Sequence, residues 1–350
     1  MKENGLMMMC VVAFFVFSMI NLYNYDFFFV KQIIWYIAGF IIFFITSKLS
    51  NKTIIRISYL LYIILNIMLI YLLIFGTSTN GSKAWLNIGF FSFQPSEFMK
   101  VVLIIILSYI SYKKYYVIKS FILTLIPAIL TFLEPETGNV IFYFLILLSI
   151  LFFRSKSNNF LKITIAFFIF ITSVLFSLYY FYNNLFISIF GSNIFYRIDR
   201  VVGFLNSNYQ LDQSLIARGT SHFFGGKTGA FIPEAKTDFA FSLLTSKIGF
   251  IGICGYLLIN FIFNILVLKK TSRQSGVMKL ITLSFISLKI FQESIAYLMN
   301  IGLFPITGIT LPFISYGGSS IISYFFILGI INNSNKDYNL DRVEVYNKPV

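Results

Sequence analysis

The sequence predicts an all-α polytopic membrane protein, and three observations carry that prediction. Hydrophobic residues occupy 58% of the 350 positions and charged residues 11%, whereas a soluble domain carries about 25% charged residues. Apolar runs of roughly 17–25 residues, the length that crosses a bilayer core, recur along almost the whole chain. The Lys and Arg residues behind the net charge of +14 sit in short clusters between those runs. That is the pattern of membrane topology and not of a basic face for nucleic acid, so membrane lipid is the expected surrounding and no nucleic-acid partner is expected.

About ten transmembrane helices follow from the runs, at 6–23, 27–47, 53–76, 97–113, 117–133, 138–153, 160–186, 239–268, 278–300 and 317–333. The first run follows Lys2 and resembles a signal peptide. No small-residue cleavage site follows it and the chain stays hydrophobic, so it reads as a retained span. The sixth run is short and the seventh long, which implies tilt or a protruding end. A large outer loop, 187–237, separates helices 7 and 8. Residues 1–333 read as one transmembrane domain, and 334–350 as a short cytoplasmic tail. Cys10 and Cys254 lie in different apolar runs without a C-x-x-C spacing, and His222 is the single histidine. Neither a disulfide nor a His-rich metal site is expected.

The positive-inside rule sets the orientation. With a cytoplasmic N-terminus, most of the 27 Lys and Arg residues fall inside, among them Lys48, Lys52, Arg56, Lys113, Lys114, Arg154, Lys269, Lys270 and Arg273. Lys83, Arg197, Arg200, Arg218, Lys227 and Lys236 fall in outer loops. Both termini are then cytoplasmic, and the Gly, Pro and acidic clusters face outward, where the worksite is expected.

Four outer motifs could carry chemistry. In GSKAWLNIGFFSFQPSEFMK (81–100), Pro95 suits a first helical turn and Glu97 complements its positive end. Glu97 and Lys100 share a helix face, which fits equally a self-neutralising pair and a cation lining a cavity for an anionic ligand. LEPETGNV (133–140) puts Glu134 and Glu136 at a membrane edge. Their spacing lacks the opposed geometry of a glycosidase pair, and they are expected to be solvated. The long loop supplies Arg197, Asp199 and Arg200, then Glu234, Lys236 and Asp238 in FIPEAKTDF. Its Gly225-Gly226-Lys227 lacks the strand and trailing hydroxyl residue of a phosphate loop. LFPITGITLPFISYGGSS (303–320) breaks an apolar run with two prolines and three glycines. Irregular backbone at membrane depth must be buried in protein or line a wet cavity, so a pocket is expected there.

Asp238 is the focus of these motifs, because it stands where a polar loop enters a hydrophobic helix and an acid is expensive to keep in such a place. In a helix running regularly from Asp238, Thr237 is the better capping residue, and Lys247, nine positions on, faces the opposite way. Lys247 is then expected to have a structural partner, with Glu293 on the next span the candidate. Lys289 and Glu293, four apart, read as a self-neutralising pair.

With all four motifs together, the chain resembles the SEDS proteins (shape, elongation, division and sporulation), the RodA/FtsW/SpoVE group. GSKAWLNIGFFSFQPSEFMK, EPETGN, the segments around Arg200 and Gln210, IPEAKTDFAF, IGFIG and NIGLFPITGITLPFISYGGSS occur in family order over nearly the whole chain. The FMK and ITGITLPF wording is closer to the division and sporulation branch than to the elongation branch. The resemblance implies a ten-helix peptidoglycan glycosyltransferase of the bacterial cytoplasmic membrane that polymerises lipid II beside a class B penicillin-binding protein. It places the family's essential acid on Asp238, and its outer helix motif on Gln94, Pro95, Ser96, Glu97 and Lys100. Its tryptophan motif falls on Lys83 and Trp85, with lysine where arginine is usual. Glu234, Ser315, Gly317 and Gly318 join the residues expected to handle substrate. The chain departs from the family at Glu134-Pro135-Glu136, at Lys236, at Ser246-Lys247 in place of two glutamates, and in a shortened glycine-rich stretch.

The reaction so implied is an inverting transfer at the outer face. A base takes the proton of an acceptor sugar hydroxyl, and cations receive the departing undecaprenyl pyrophosphate. Asp238 is the base, and Lys83, Lys100 and Arg200 are the phosphate cations. No cofactor is assigned, and assistance by a divalent cation stays open. Two rivals remain at this point: a lipid II flippase using Lys247, Lys289 and Glu293 as pathway residues, and a non-catalytic scaffold for a penicillin-binding protein.

Overall fold

A computed structural model describes residues 2–76, 83–89, 91–134, 136–155, 209–226 and 231–333. The expected seventh span and most of the long loop, including Arg197, Arg200 and Lys227, lie outside these residues, as does the tail. The described helices are α1 (Lys2–Leu22), α2 (Asp26–Thr46), α3 (Asn51–Phe75), α4 (Pro95–Ile110), α5 (Tyr116–Leu133), α6 (Thr137–Arg154), α7 (Tyr209–Gly219), α8 (Ala240–Thr271), α9 (Gly276–Asn300) and α10 (Gly318–Asn333). Apart from the short α7, each coincides with an expected span. A small antiparallel hairpin, β1 (Leu86–Ile88) and β2 (Phe91–Phe93), is an addition to the all-α expectation. It turns through Gly89 at φ +59°, a conformation that glycine adopts without cost.

Two short helices form the centre. Almost every residue of α4 and α10 is buried, as fits sequences that are apolar all round. α4 packs on α3, α5, α6, α9 and α10, while α10 lies along α2. Glycine permits that closeness: a Cβ on Gly329 would stand 1.9 Å from the Thr46 hydroxyl, and one on Gly39 would stand 2.5 Å from the Phe325 ring. The outer helices instead expose apolar stripes at helical spacing, such as Ile34, Ile37, Ile41 and Phe44 on α2 and Ile63, Ile67, Ile70 and Ile74 on α3. Among the described residues five helices are long and apolar enough to cross a bilayer, and these stripes are the surface they offer to lipid. Cys254 is exposed and Cys10 buried, and both are free.

α8 departs from a regular helix in two ways. It begins at Ala240 and not at Asp238, and it is interrupted at Gly249, where φ is 66° and ψ −171°. Lys247 donates to the carbonyls of Ile20 (3.1 Å) and Asn21 (2.8 Å) at the end of α1. Its partner is therefore the negative end of a helix and not Glu293, which is taken by Lys289 at 2.6 Å as expected. Lys289 also donates to Asn260 and Asn264, and Asn260 donates to Glu293. Every proton of the buried ammonium is thus engaged. At the other end of the bundle, Arg273 pairs with Glu3 at 2.8 Å and Lys270 donates to Asn332.

Candidate active site

The Asp238 carboxyl is presented by a tight turn, Pro233–Phe239, immediately before α8. The amides of Thr237 and Phe239 both donate to the Glu234 carbonyl, and Glu234 itself adopts φ +50°. The Thr237 hydroxyl donates to the Glu234 side chain at 3.0 Å, so it closes the turn and does not cap α8. The cap comes from another element. Asn300, at the end of α9, accepts from the Ser242 amide and hydroxyl and donates to the Asp238 carbonyl at 3.1 Å. Being fully buried, it satisfies one of the orphan donors of the α8 N-terminus.

Behind this turn runs the 303–317 segment. The Ser315 hydroxyl donates to the Thr237 carbonyl at 2.6 Å and accepts from the Leu311 amide, while the Tyr316 amide donates to the Lys236 carbonyl. Lys236 lies over the rings of Phe28 (3.8 Å) and Tyr25 (5.2 Å). The segment's own carbonyls are met by side chains from the span helices: Phe313 by Tyr36, Ile314 by Ser18, Ser315 by Gln32 and Thr310 by Gln292. Over 310–315 the irregular backbone is therefore buried in protein, which is one of the two solutions open to it. Ser315 fixes the Asp238 turn, and Gly318 lets the segment sit on Trp35, since a Cβ there would lie 2.1 Å from the indole.

The same segment joins the other motifs to Asp238. Gly308, at φ +71°, has its Cβ position 3.7 Å from the Asp238 carboxyl. One residue earlier, the Thr307 carbonyl lies 3.4 Å from the Cβ position of Gly138 in the first turn of α6. Two residues later, Thr310 holds Gln292, whose carbonyl oxygen accepts from Tyr324 and from Lys100. Residues 307–310 thus stand between Asp238 and the Glu97–Glu136 region.

That region is densely bonded. Lys100 pairs with Glu97 at 2.7 Å, both buried, so the self-neutralising reading of the pair is the one realised. Glu136 accepts from Gln94, Ser96 (2.8 Å) and Asn139; Asn139 also donates to Ser96. Glu134 is fully buried, and neither of its carboxyl oxygens has a hydrogen-bond partner among the described residues. The expectation that these two acids are solvated is thus overturned for Glu134, which is closed off from solvent, whereas Glu136 is half-buried and held by side chains at the entrances of α4 and α6. Burial pushes the Glu134 carboxyl up to about 9, with Glu136 adding to the shift. Burial also raises Glu136 to about 7, opposed by the Ser96 bond. Lys83 bridges from its amide to the Glu134 carbonyl and from its ammonium to the Leu73 carbonyl (3.4 Å), with half-buried Trp85 beside it in sequence.

At Asp238 desolvation by burial is the main influence and raises the carboxyl to about 6; Glu234 adds, and a bond from Thr237 opposes. A carboxylate poised just below neutral pH can accept a proton from a hydroxyl and pass it on. Among the described residues no three His, Cys, Asp or Glu side chains gather to hold a metal ion. Sequence reasoning singled out Asp238, Ser315 and the Gln94–Lys100 group; its motifs included Asn139 and Asn300 without giving them a role, and it passed over Gln32 and Gln292. Gln32 and Gln292 are single amides inside apolar runs, and only their cost in such a place marks them.

Comparison with known proteins agrees with this architecture. Residues 4–339 match the family model FtsW/RodA/SpoVE, described as a cell cycle protein. A probable peptidoglycan glycosyltransferase FtsW of Wigglesworthia glossinidia brevipalpis is 33% identical, covering 94% of this chain and 89% of that protein. The stage V sporulation protein E of Bacillus subtilis is 32% identical over 90% of this chain and 89% of its own length. Among solved structures, a chain of a peptidoglycan synthase complex superposes with a TM-score of 0.79 at 22% identity, covering 95% of this chain and 98% of that one. The rod shape determining protein RodA of Thermus thermophilus superposes with a TM-score of 0.70, also at 22% identity, covering 95% of this chain and 96% of its own. The chain belongs to the FtsW/RodA/SpoVE family of cell cycle proteins.

Proposed function

We infer that this protein is a peptidoglycan glycosyltransferase that polymerises lipid II at the outer face of the cytoplasmic membrane. The observation that carries the reading is the Asp238 turn. A half-buried carboxyl, raised by burial to about 6, is fixed through its backbone by Asn300 and through the adjacent Thr237 carbonyl by Ser315. A base that must take the proton of a sugar hydroxyl needs this combination of fixed position and moderated acidity. Asp238 takes the acceptor hydroxyl proton, the acceptor oxygen attacks the anomeric carbon of the donor, and undecaprenyl pyrophosphate leaves. Lys83 and Arg200 are the cations assigned to the pyrophosphate. Lys100 supports the site from within, because its ammonium is spent on Glu97 and Gln292. A class B penicillin-binding protein is the proposed partner, and both termini are placed in the cytoplasm by the basic clusters.

A transport reading needs ionisable residues free to pass a head group through the bilayer. Lys289 and Glu293 are closed upon each other and upon Asn260, and Lys247 upon the end of α1, which disfavours that reading. The deciding experiment is polymerisation of labelled lipid II by purified protein with its penicillin-binding partner. Asp238→Asn keeps shape and hydrogen-bonding capacity, so it is expected to fold, bind the partner and make no polymer, whereas Glu234→Gln loses less. Near-normal polymer from Asp238→Asn would sink the assignment of the base.

A further inference from the structure

The six residues Ser221–Gly226 follow α7 and pack into the interruption of α8. The carbonyls of His222 and Phe223 accept from the amides of Phe250 and Ile251, each at 3.0 Å, and the Gly226 amide donates to the Ser246 carbonyl at 3.1 Å. These are groups that a break at Gly249 releases from the helical ladder. The two elements satisfy each other's backbone, and glycine makes the crossing close enough. A Cβ on Gly225 (φ +84°) would stand 2.1 Å from the Lys247 carbonyl, and one on Gly249 would stand 2.2 Å from the Gly225 nitrogen.

The depth of this crossing can be set against α1. That helix has 21 residues, about 30 Å, the thickness of a bilayer core. Its first turn is tied to the turn just past the far end of α8 through Glu3 and Arg273. Its last turn is tied to the start of α8, where Asn21 donates to the Ala240 carbonyl at 3.3 Å. The loop meets α8 from Ser246 onwards, roughly 9 Å further along the helix than Ala240 and before the break at Gly249, on the bilayer side of that tie. There the loop turns two aromatic rings outward: Phe223 is 65% and Phe224 80% exposed. Phe223 stands edge-on to Phe250 at 6.3 Å. Phe250 and Ile251 are themselves more than half exposed and continue into Leu258 and Phe261 on the outward stripe of α8.

We propose that Ser221–Gly226 is a membrane-dipping loop whose Phe223 and Phe224 side chains contact the acyl chains of the outer leaflet. Two rings of this size held in water would forgo a large apolar transfer, whereas at this depth they extend a surface that already faces lipid. The paired carbonyls and amide lower the penalty that exposed loop backbone would meet in hydrocarbon. The loop thereby pins the chain to the bilayer a dozen residues ahead of Asp238, whatever reaction that carboxyl performs.

The test places a nitroxide label on the full-length protein in phosphatidylglycerol–phosphatidylethanolamine vesicles, with Cys10 and Cys254 replaced by alanine. Labels at Phe224→Cys, at lipid-facing Phe261→Cys and at water-exposed Asp212→Cys are compared for relaxation by oxygen and by a water-soluble nickel complex. At Phe224 we expect high oxygen access and a loss of nickel access to the level of Phe261. Nickel access like that of Asp212 would place the loop in water and overturn the proposal. Low access to both reagents would mean that protein covers the rings, and would overturn it equally. Phe223→Cys gives an independent second reading should the Phe224 variant express poorly.

Discussion

At the scale of single residues, the informative groups are acids whose charge the fold resists. For Asp238 the sign is simple: its folded carboxyl holds a proton that the unfolded chain releases near 3.8, up to about 6. The protonated form therefore adds stability below pH 4 that is lost as pH rises through about 6, while a base at this position works only when deprotonated. Turnover by the protein with its partner is expected to fall on acidification with a midpoint near pH 6. A rate flat from pH 7 to pH 5 would show that another group takes the proton. Glu134 offers a cleaner case, its carboxyl being buried without a hydrogen-bond partner among the described residues and outside the proposed chemistry. Its stabilising protonated form is retained to about 9 against 4.5 unfolded, so stability drains away as pH rises between these values. Glu134→Gln removes the titration. Its melting temperature is expected to match the parent near pH 5 and to exceed it increasingly towards pH 9; equal melting temperatures at pH 9 would refute the buried neutral carboxyl.

At the scale of elements, the sequence was most legible where periodicity and length decide. Nine of the ten apolar runs became described helices, because a chain in a bilayer must satisfy its backbone within each span and so converts hydropathy into helix boundaries. The interruption of α8 was not legible, since Ile248-Gly249-Phe250-Ile251 reads as continuous apolar helix and isolated glycines are common in spans. What breaks it is tertiary: the 221–226 loop claims the amides of Phe250 and Ile251. The partner of Lys247 was misread for the same reason, because helix carbonyls leave no mark in a sequence. Gly249→Ala puts a Cβ 2.2 Å from backbone at a φ of +66°, while Gly255→Ala in the same helix meets nothing within 4 Å. We expect Gly249→Ala to lower thermal stability in detergent by several degrees or to abolish expression, with Gly255→Ala neutral or slightly stabilising. Equal behaviour of the two would contradict the wedge. Lys247→Met, which strips two carbonyls of α1 of their cation, is expected to cost about 1–3 kcal/mol, and Lys247→Arg to recover most of it; a fully stable Lys247→Met would show the tie to be idle.

At the scale of the whole molecule, the bundle sorts its chemistry to two ends. Asp238, Glu134, Glu136, Gln94 and the 303–317 segment gather at one, while the Glu3–Arg273 pair, Lys270 and the Arg154 contact with Ser111 lie at the other. Family membership and the motif order were readable from the sequence because each motif sits at a helix entrance, where residue identity matters more than hydropathy. The way 307–310 links Asp238 to α6 and Gln292 was not, since it depends on how three distant entrances converge. The orientation of this two-ended bundle rests on the basic clusters, and it decides whether Asp238 meets a substrate outside the cell. With Cys10 and Cys254 replaced, a cysteine at Asp212, exposed on α7 beside the Asp238 end, is expected to react with an impermeant thiol reagent in intact cells. One at Ser275, between α8 and α9, is expected to react only after permeabilisation. The two sites lie at opposite ends of α8, whose helix beyond the break at Gly249 alone runs roughly 33 Å, so no tilt brings both to one surface. Labelling of Ser275 in intact cells, with Asp212 protected, would invert the protein in the membrane and remove the outer-face reaction with it.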